Sequence, residues 1–217
     1  MSYFLIAQYS YETIDLALCH NEKIIESCSI HKFQATGQTI PTIQTMLQNH
    51  GLSLSDLRCF GINKGPSPYN TLRAMLTMFN GIHRTTRIPL ISFNALDLLS
   101  SEYKNQNHIV TLQAFDQHLF FNLCLNGHMQ QGAASTEHIA SLILEAKTPL
   151  HAYGNGFIKY KELFAQRCPN LIIQEPIVAF NSLESLARAT YDSLEQAQST
   201  TKYIMPIYFE DYSEKLL

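Results

Sequence analysis

Residues 57–84 read LRCFGINKGPSPYNTLRAMLTMFNGIHR, and their order decides the fold class. Leu57, Cys59, Phe60 and Ile62 make a short apolar run, as a buried strand does. Residues 63–70 hold two prolines, a glycine and a serine, so they form a loop. Residues 71–85 follow as a helix. Projected at about 100° per residue, Arg73, Thr77, Asn80 and Arg84 share one narrow polar stripe. Leu72, Met75, Leu76, Met78, Phe79 and Ile82 fall in an apolar arc roughly 200° wide, where a one-sided surface helix needs little more than about 100°. The excess needs cover on a second side, either within the chain's own core or from a partner.

Outward from this unit the pattern continues. Upstream, residues 3–7, 13–19 and 23–30 read as three meandering strands with a turn at 20–22. A helix over 36–50 presents Ile40, Ile43 and Leu47 to the core, with Thr39, Thr42 and Met46 on the neighbouring face, and Gly51 stops it. Downstream come a strand at 89–93 and a helix through 103, with Asn94 placed to cap it. The order β-β-β-α-β-α-β-α is the ribonuclease-H-like order of each lobe of the actin/Hsp70/sugar-kinase superfamily. After a polar stretch at 101–107 the pattern partly repeats: strands at 108–114 and 118–125, a hairpin signal at Asn126-Gly127, a helix at 136–147, a strand at 150–153, a helix at 157–168, a strand at 171–174, a helix at 182–198 and a short closing strand or tail at 203–208. The expectation is an α/β fold of two lobes, 1–103 and 104–217, with mixed sheets flanked by helices.

Composition narrows the function. Hydrophobic residues make up 46% and charged residues 15%, which points to apolar surface covered by another chain or to a compact core that takes it all. The net charge is −3 and no Lys/Arg block occurs, which leaves no electrostatic footprint for direct nucleic-acid binding. No apolar run approaches the roughly 20 residues of a membrane span, and the N-terminus has no basic signal region, which implies a cytoplasmic protein. The five cysteines form no C-x-x-C and read as buried reduced thiols. Nine histidines include no H-x-x-x-H pair, and neither a P-loop nor G-x-G-x-x-G is present, so no metal or cofactor is expected. The Gly-Pro-Ser-Pro run at 65–68 is a structural turn or an anion cradle at a helix N-terminus; its two prolines remove two backbone donors. Arg73 pairs with a phosphate or a partner carboxylate, or lies on a solvated stripe.

The segment Gly65-Pro66-Ser67-Pro68-Tyr69-Asn70-Thr71-Leu72-Arg73 resembles the G-P-G-S-[FY]-T-G-[LV]-R signature of the TsaB (YeaZ) family, matched at Gly65, Pro66, Tyr69, Leu72 and Arg73. Gly61 before it and Asn80-Gly81 after it fit as well. Residues 36–47, with Pro41, are similar to the family's H-[ST]-x-x-[IL]-x-P helix, with Ala35 in place of the His. Tyr153-Gly154-Asn155-Gly156 resembles its G-[DN]-G turn, and residues 205–209 resemble its closing P-x-Y-L-R. Gln8 and Gln113 stand where the family has Asp, and Ser67 and Thr71 where it has Gly.

The resemblance implies a non-catalytic subunit in synthesis of threonylcarbamoyladenosine on tRNA. It would hold a TsaD-like catalytic subunit through the two helices of its first lobe, with a TsaE-like ATPase joining the pair. The interface is expected at Thr39, Thr42, Met46, Met75, Met78, Phe79 and Ile82. Two other readings remain: a small-molecule or nucleotide phosphotransferase of the same superfamily, which Gln8 and Gln113 disfavour, and a homologue that self-associates through the same helices.

Overall fold

The computed structural model describes residues 2–196, 200–207 and 209. Strands β1 (Tyr3–Tyr9), β2 (Thr13–His20) and β3 (Lys23–His31) form an antiparallel meander, as the apolar runs and the turn at 20–22 predict. Asn21 takes positive φ in the β2–β3 turn, a conformation that Asn tolerates. Helix α1 (Ala35–Asn49) leads to β4 (Leu57–Asn63), then α2 (Tyr69–Thr86) and β5 (Leu90–Phe93). β4 and β5 join β1 in parallel, so the first sheet has the order β3-β2-β1-β4-β5.

The second half repeats this plan. After α3 (Ala95–Ser101) come β6 (His108–Gln113), β7 (His118–Leu125), β8 (His128–Ser135), α4 (Thr136–Glu145), β9 (Leu150–Tyr153), α5 (Asn155–Lys159), α6 (Lys161–Arg167), β10 (Leu171–Ile172) and α7 (Leu183–Glu195). The second sheet is β10-β9-β6-β7-β8, again three antiparallel strands followed by two parallel ones. β8 was marked in the sequence only by the Asn126-Gly127 turn, because Gln130, Gln131, Gly132 and two alanines carry little strand preference. The helix expected over 157–168 is two short helices, broken where Tyr160 leaves helical geometry at φ −116° and ψ 28°. Of the two forms expected over 203–208, residues 203–207 take the tail and no strand; Thr201 before them makes one bridge to Leu90, and Tyr208 falls outside the described residues.

The chain divides into two compact units, Met1–Asn94 with Ser182–Ile207, and one containing Ala95–Asn181. A single boundary at 103/104 therefore misplaces two helices. α3 packs on β6 and β7, and α7 packs on the first sheet. In the first unit, Leu5, Ala7, Leu16, Phe60 and Ile62 form the core with α1 and α2. Phe60 meets Phe79 of α2 edge-on at 5.2 Å between ring centroids. Neighbouring strand residues point to opposite faces, and Gly61 faces Thr190 of α7. The sheet thus lies between the α1/α2 pair and α7. In the second unit, Ile109, Leu119 and Phe121 face α4, α5 and α6, while the His108 face lies against α3.

Candidate functional site

The loop between β4 and α2 is built on Asn63. This residue is buried, and its Oδ1 accepts a hydrogen bond from the Gly65 N–H at 3.0 Å. Gly65 takes φ +92°, and a Cβ there would stand 2.9 Å from Leu72 Cδ2 and 3.0 Å from Ser67 N, so the position requires glycine. The following Gly65–Pro66 peptide is cis. Pro68 occupies the N-cap of α2 and supplies no side-chain acceptor. Ser67 is buried, and its Oγ has no hydrogen-bond partner among the described residues. Arg73 is exposed, with its guanidinium 5.9 Å from the Tyr69 ring centroid. With Gly65 N–H engaged and two prolines donating nothing, the loop is a tight connection with few donors for an anion.

The seven residues expected at a partner interface separate into two groups. Met75 and Phe79 are fully buried with Leu72 and Leu76 on the sheet-facing side of α2. Met46 and Thr39 are likewise buried, on α1. These four belong to the unit's own core. The inward stripe of α1 is Ala35, Thr39, Ile43, Met46 and Leu47, rotated from the expected face so that Ile40 is 50% exposed. Thr39 tolerates burial because its hydroxyl donates to the Ala35 carbonyl at 2.7 Å. Thr42, Met78 and Ile82 are half-buried, and Met78 and Ile82 pack at the edge of the core. Left at least partly exposed are Ile40 and Thr42 on α1, which stand on opposite flanks of its inward stripe, and Met78 and Ile82 on α2. Ile40 was assigned inward although helical spacing from Ala35 and Thr39 already turns it outward.

α2 is also tied to the segment after α7. Asn80 Nδ2 donates to the Ile204 carbonyl and its Oδ1 accepts from the Ile204 N–H, both at 2.9 Å. Asn80 thus completes a backbone pairing and does not sit on a solvated stripe.

Gln8 is buried near the end of β1. Gln113, at the end of β6, is held by the Gly154-Asn155 turn: Asn155 Oδ1 accepts from the Gln113 N–H at 2.8 Å, and Gln113 Nε2 donates to the Asn155 carbonyl at 3.4 Å. Burial pushes the Cys19 and Cys59 thiols up to about 12, so neither forms a thiolate near neutrality. Among the described residues, no three His, Cys, Asp or Glu side chains gather as a metal ion would require. No helix among them is long and apolar enough to cross a membrane.

No protein-family model matches the sequence, and no curated protein matches it. Solved structures do. One is a protein with similarity to peptidase YeaZ from Pseudomonas aeruginosa: 17% identical, covering 97% of this chain and 100% of that one, with a TM-score of 0.73. A second is YeaZ from Pseudomonas aeruginosa, 19% identical over 96% of this chain and 100% of that one, TM-score 0.68. A third, from Bacteroides thetaiotaomicron, is a protein with an actin-like ATPase fold and unknown function, 8% identical over 87% and 96%, TM-score 0.50. The chain thus has a YeaZ-like fold of the actin/Hsp70/sugar-kinase class, with two mixed five-stranded sheets flanked by helices.

Proposed function

We propose that this chain is a partner subunit without catalytic residues in the synthesis of threonylcarbamoyladenosine on tRNA. It binds and supports a TsaD-like catalytic subunit in the cytoplasm, and a TsaE-like ATPase joins the pair. The observation that carries this reading is the YeaZ-like fold across nearly the whole chain. The rims of α1 and α2 supply apolar surface for it: Ile40 is half-exposed, and Met78 and Ile82 are half-buried at the edge of the core. Two such helices can dock on two more, and Met78 suits a surface that adapts to its partner. The chain contributes that surface, and the partner contributes the chemistry.

The test has two arms. In the first, the chain is mixed with the TsaD-like subunit of the same organism and the mass is read by light scattering. A complex is expected, and Met78→Glu is expected to dissolve it by burying an unpaired charge while leaving the thermal unfolding of the chain in place. In the second, the gene is deleted and threonylcarbamoyladenosine in bulk tRNA is quantified; it is expected to fall. No complex together with unchanged tRNA overturns the reading. If Met78→Glu instead splits a homodimer and tRNA is unchanged, the self-associating homologue replaces it.

A further inference from the structure

The second unit contains a cavity of about 410 Å³ between α3 and the edge of its own sheet. The TsaB-like reading makes no use of it. Its floor is built from buried groups. Ser100 of α3 and His108 of β6 are hydrogen-bonded at 2.6 Å between Oγ and Nε2, and His108 Nδ1 lies 2.9 Å from the Gln106 carbonyl. A carbonyl only accepts, so Nδ1 carries the proton. Nε2 is then the acceptor, and the Ser100 hydroxyl donates to it. Burial lowers the pKa of His108, which keeps the ring neutral and this arrangement fixed. With its proton committed, Ser100 Oγ presents lone pairs to the cavity and accepts from a ligand that brings a donor.

The walls are complementary in charge. Asp97 lies one helical turn before Ser100 on the same face of α3 and lines the same cavity; its Oδ1 accepts from Gln131 Nε2, which leaves Oδ2 as the acceptor beside Ser100. Lys104 lines it further along the chain and brings an ammonium. The opposite wall is apolar: Cys124, the cross-strand partner of His108, and Met129, a large hydrophobic side chain left 65% exposed. A mainly apolar concavity of this size with a few convergent polar groups is the ordinary form of a small-molecule site.

We propose that this cavity binds a free α-amino acid with an apolar side chain. The ligand's ammonium group donates to Asp97 and to Ser100 Oγ. Its carboxylate meets Lys104, and its side chain covers Met129 and Cys124. The charge order along residues 97–104, acceptors on α3 first and the cation in the turn after it, selects a zwitterion over a simple amine or a simple acid.

Isothermal titration calorimetry of the full chain with the twenty free amino acids tests this, alongside the N-acetyl and carboxamide derivatives of any that bind. At least one apolar amino acid is expected to bind with a dissociation constant below 1 mM, an order-of-magnitude bound for a ligand of this size. Each charge-blocked derivative is expected to bind at least about tenfold more weakly, as are Asp97→Asn and Lys104→Met. Both substitutions are on the surface, and the blocked ligands examine the same contacts on unaltered protein. Binding of no amino acid overturns the proposal. So does equal binding of the blocked derivatives, or equal binding by the two variants.

Discussion

Gly61 of β4 lies directly beneath Thr190 of α7: a Cβ on Gly61 would stand 2.0 Å from Thr190 Oγ1 and 2.7 Å from Thr190 Cγ2. The helix rests on the strand because that strand position has no side chain. Thr190 is fully buried and its hydroxyl donates to the Leu186 carbonyl at 2.7 Å, so it cannot rotate away without losing that bond. Gly61→Ala is therefore expected to cost about 2–3 kcal/mol of stability in denaturant titration, the upper range for overpacking. Adding Thr190→Ala should recover part of the loss, and strict additivity of the two changes would show that they do not meet.

The orientation of α1 yields a paired prediction. Met46 is fully buried, so Met46→Ala is expected to destabilise by about 2–4 kcal/mol. Ile40 is half-exposed, and Ile40→Ser is expected to stay within about 0.5 kcal/mol of the parent in the isolated chain. Chemical denaturation of both variants checks the order, and a larger loss at position 40 would mean that the helix is turned the other way.

Two glycines of the second unit share positive φ but differ in surroundings. Gly154 has φ +100°, and a Cβ there would stand 2.0 Å from the Thr111 carbonyl oxygen. Gly127 has φ +81° with nothing within 4 Å. Gly127→Ala should cost only the backbone strain, about 1–2 kcal/mol. Gly154→Ala adds a backbone clash and is expected to cost at least about 3 kcal/mol, enough to lower soluble yield. Melting temperatures of the two variants decide it; equal losses would remove the clash from the account.

His108 makes stability depend on pH. Its pKa is lowered in the folded protein by burial, against a backbone hydrogen bond to Gln106 that acts the other way. The unfolded chain therefore takes up the proton first as pH falls. The stability contributed is complete above the ordinary histidine value near 6.5 and is lost as pH drops below it toward the folded value. Unfolding free energy measured from pH 7.5 to 5 should decline, and His108→Gln should flatten the decline. An unchanged slope in that variant would assign the effect to other groups.

Much of this was legible in the sequence, for identifiable reasons. The first meander, both hairpin turns and the strand–loop–helix unit at 57–86 rest on local signals: apolar runs, turn residues and glycine stops. The second sheet's edge strand was not legible, because Gln130, Gln131 and Gly132 are recruited by pairing with β7 and not by preference. The side of α1 that faces inward depends on Thr39, whose polar type argues for solvent until its hydroxyl is seen to bond Ala35. Asn80 looked like part of a polar stripe because its partner, Ile204, lies 124 residues away. The apolar arc of α2 predicts cover on a second side, whereas its fully buried residues, Leu72, Met75, Leu76 and Phe79, form one sheet-facing stripe. Most of the arc is covered within the first unit's own core, which leaves Met78 and Ile82 at the rim.

The placement of α3 and α7 bears on how such a chain arises. Each half of the sequence codes a five-stranded sheet, the helices for one of its faces, and one last helix that packs on the other half's sheet. A single half made alone would leave one sheet face bare and one helix without a seat. Two identical halves would satisfy each other by trading that helix. A gene coding one repeat is thus already the gene of an exchanged homodimer, and its duplication and fusion need no new packing. After fusion the two copies would be free to diverge, and the two sheet edges do differ: β3 carries three isoleucines where β8 carries two glutamines.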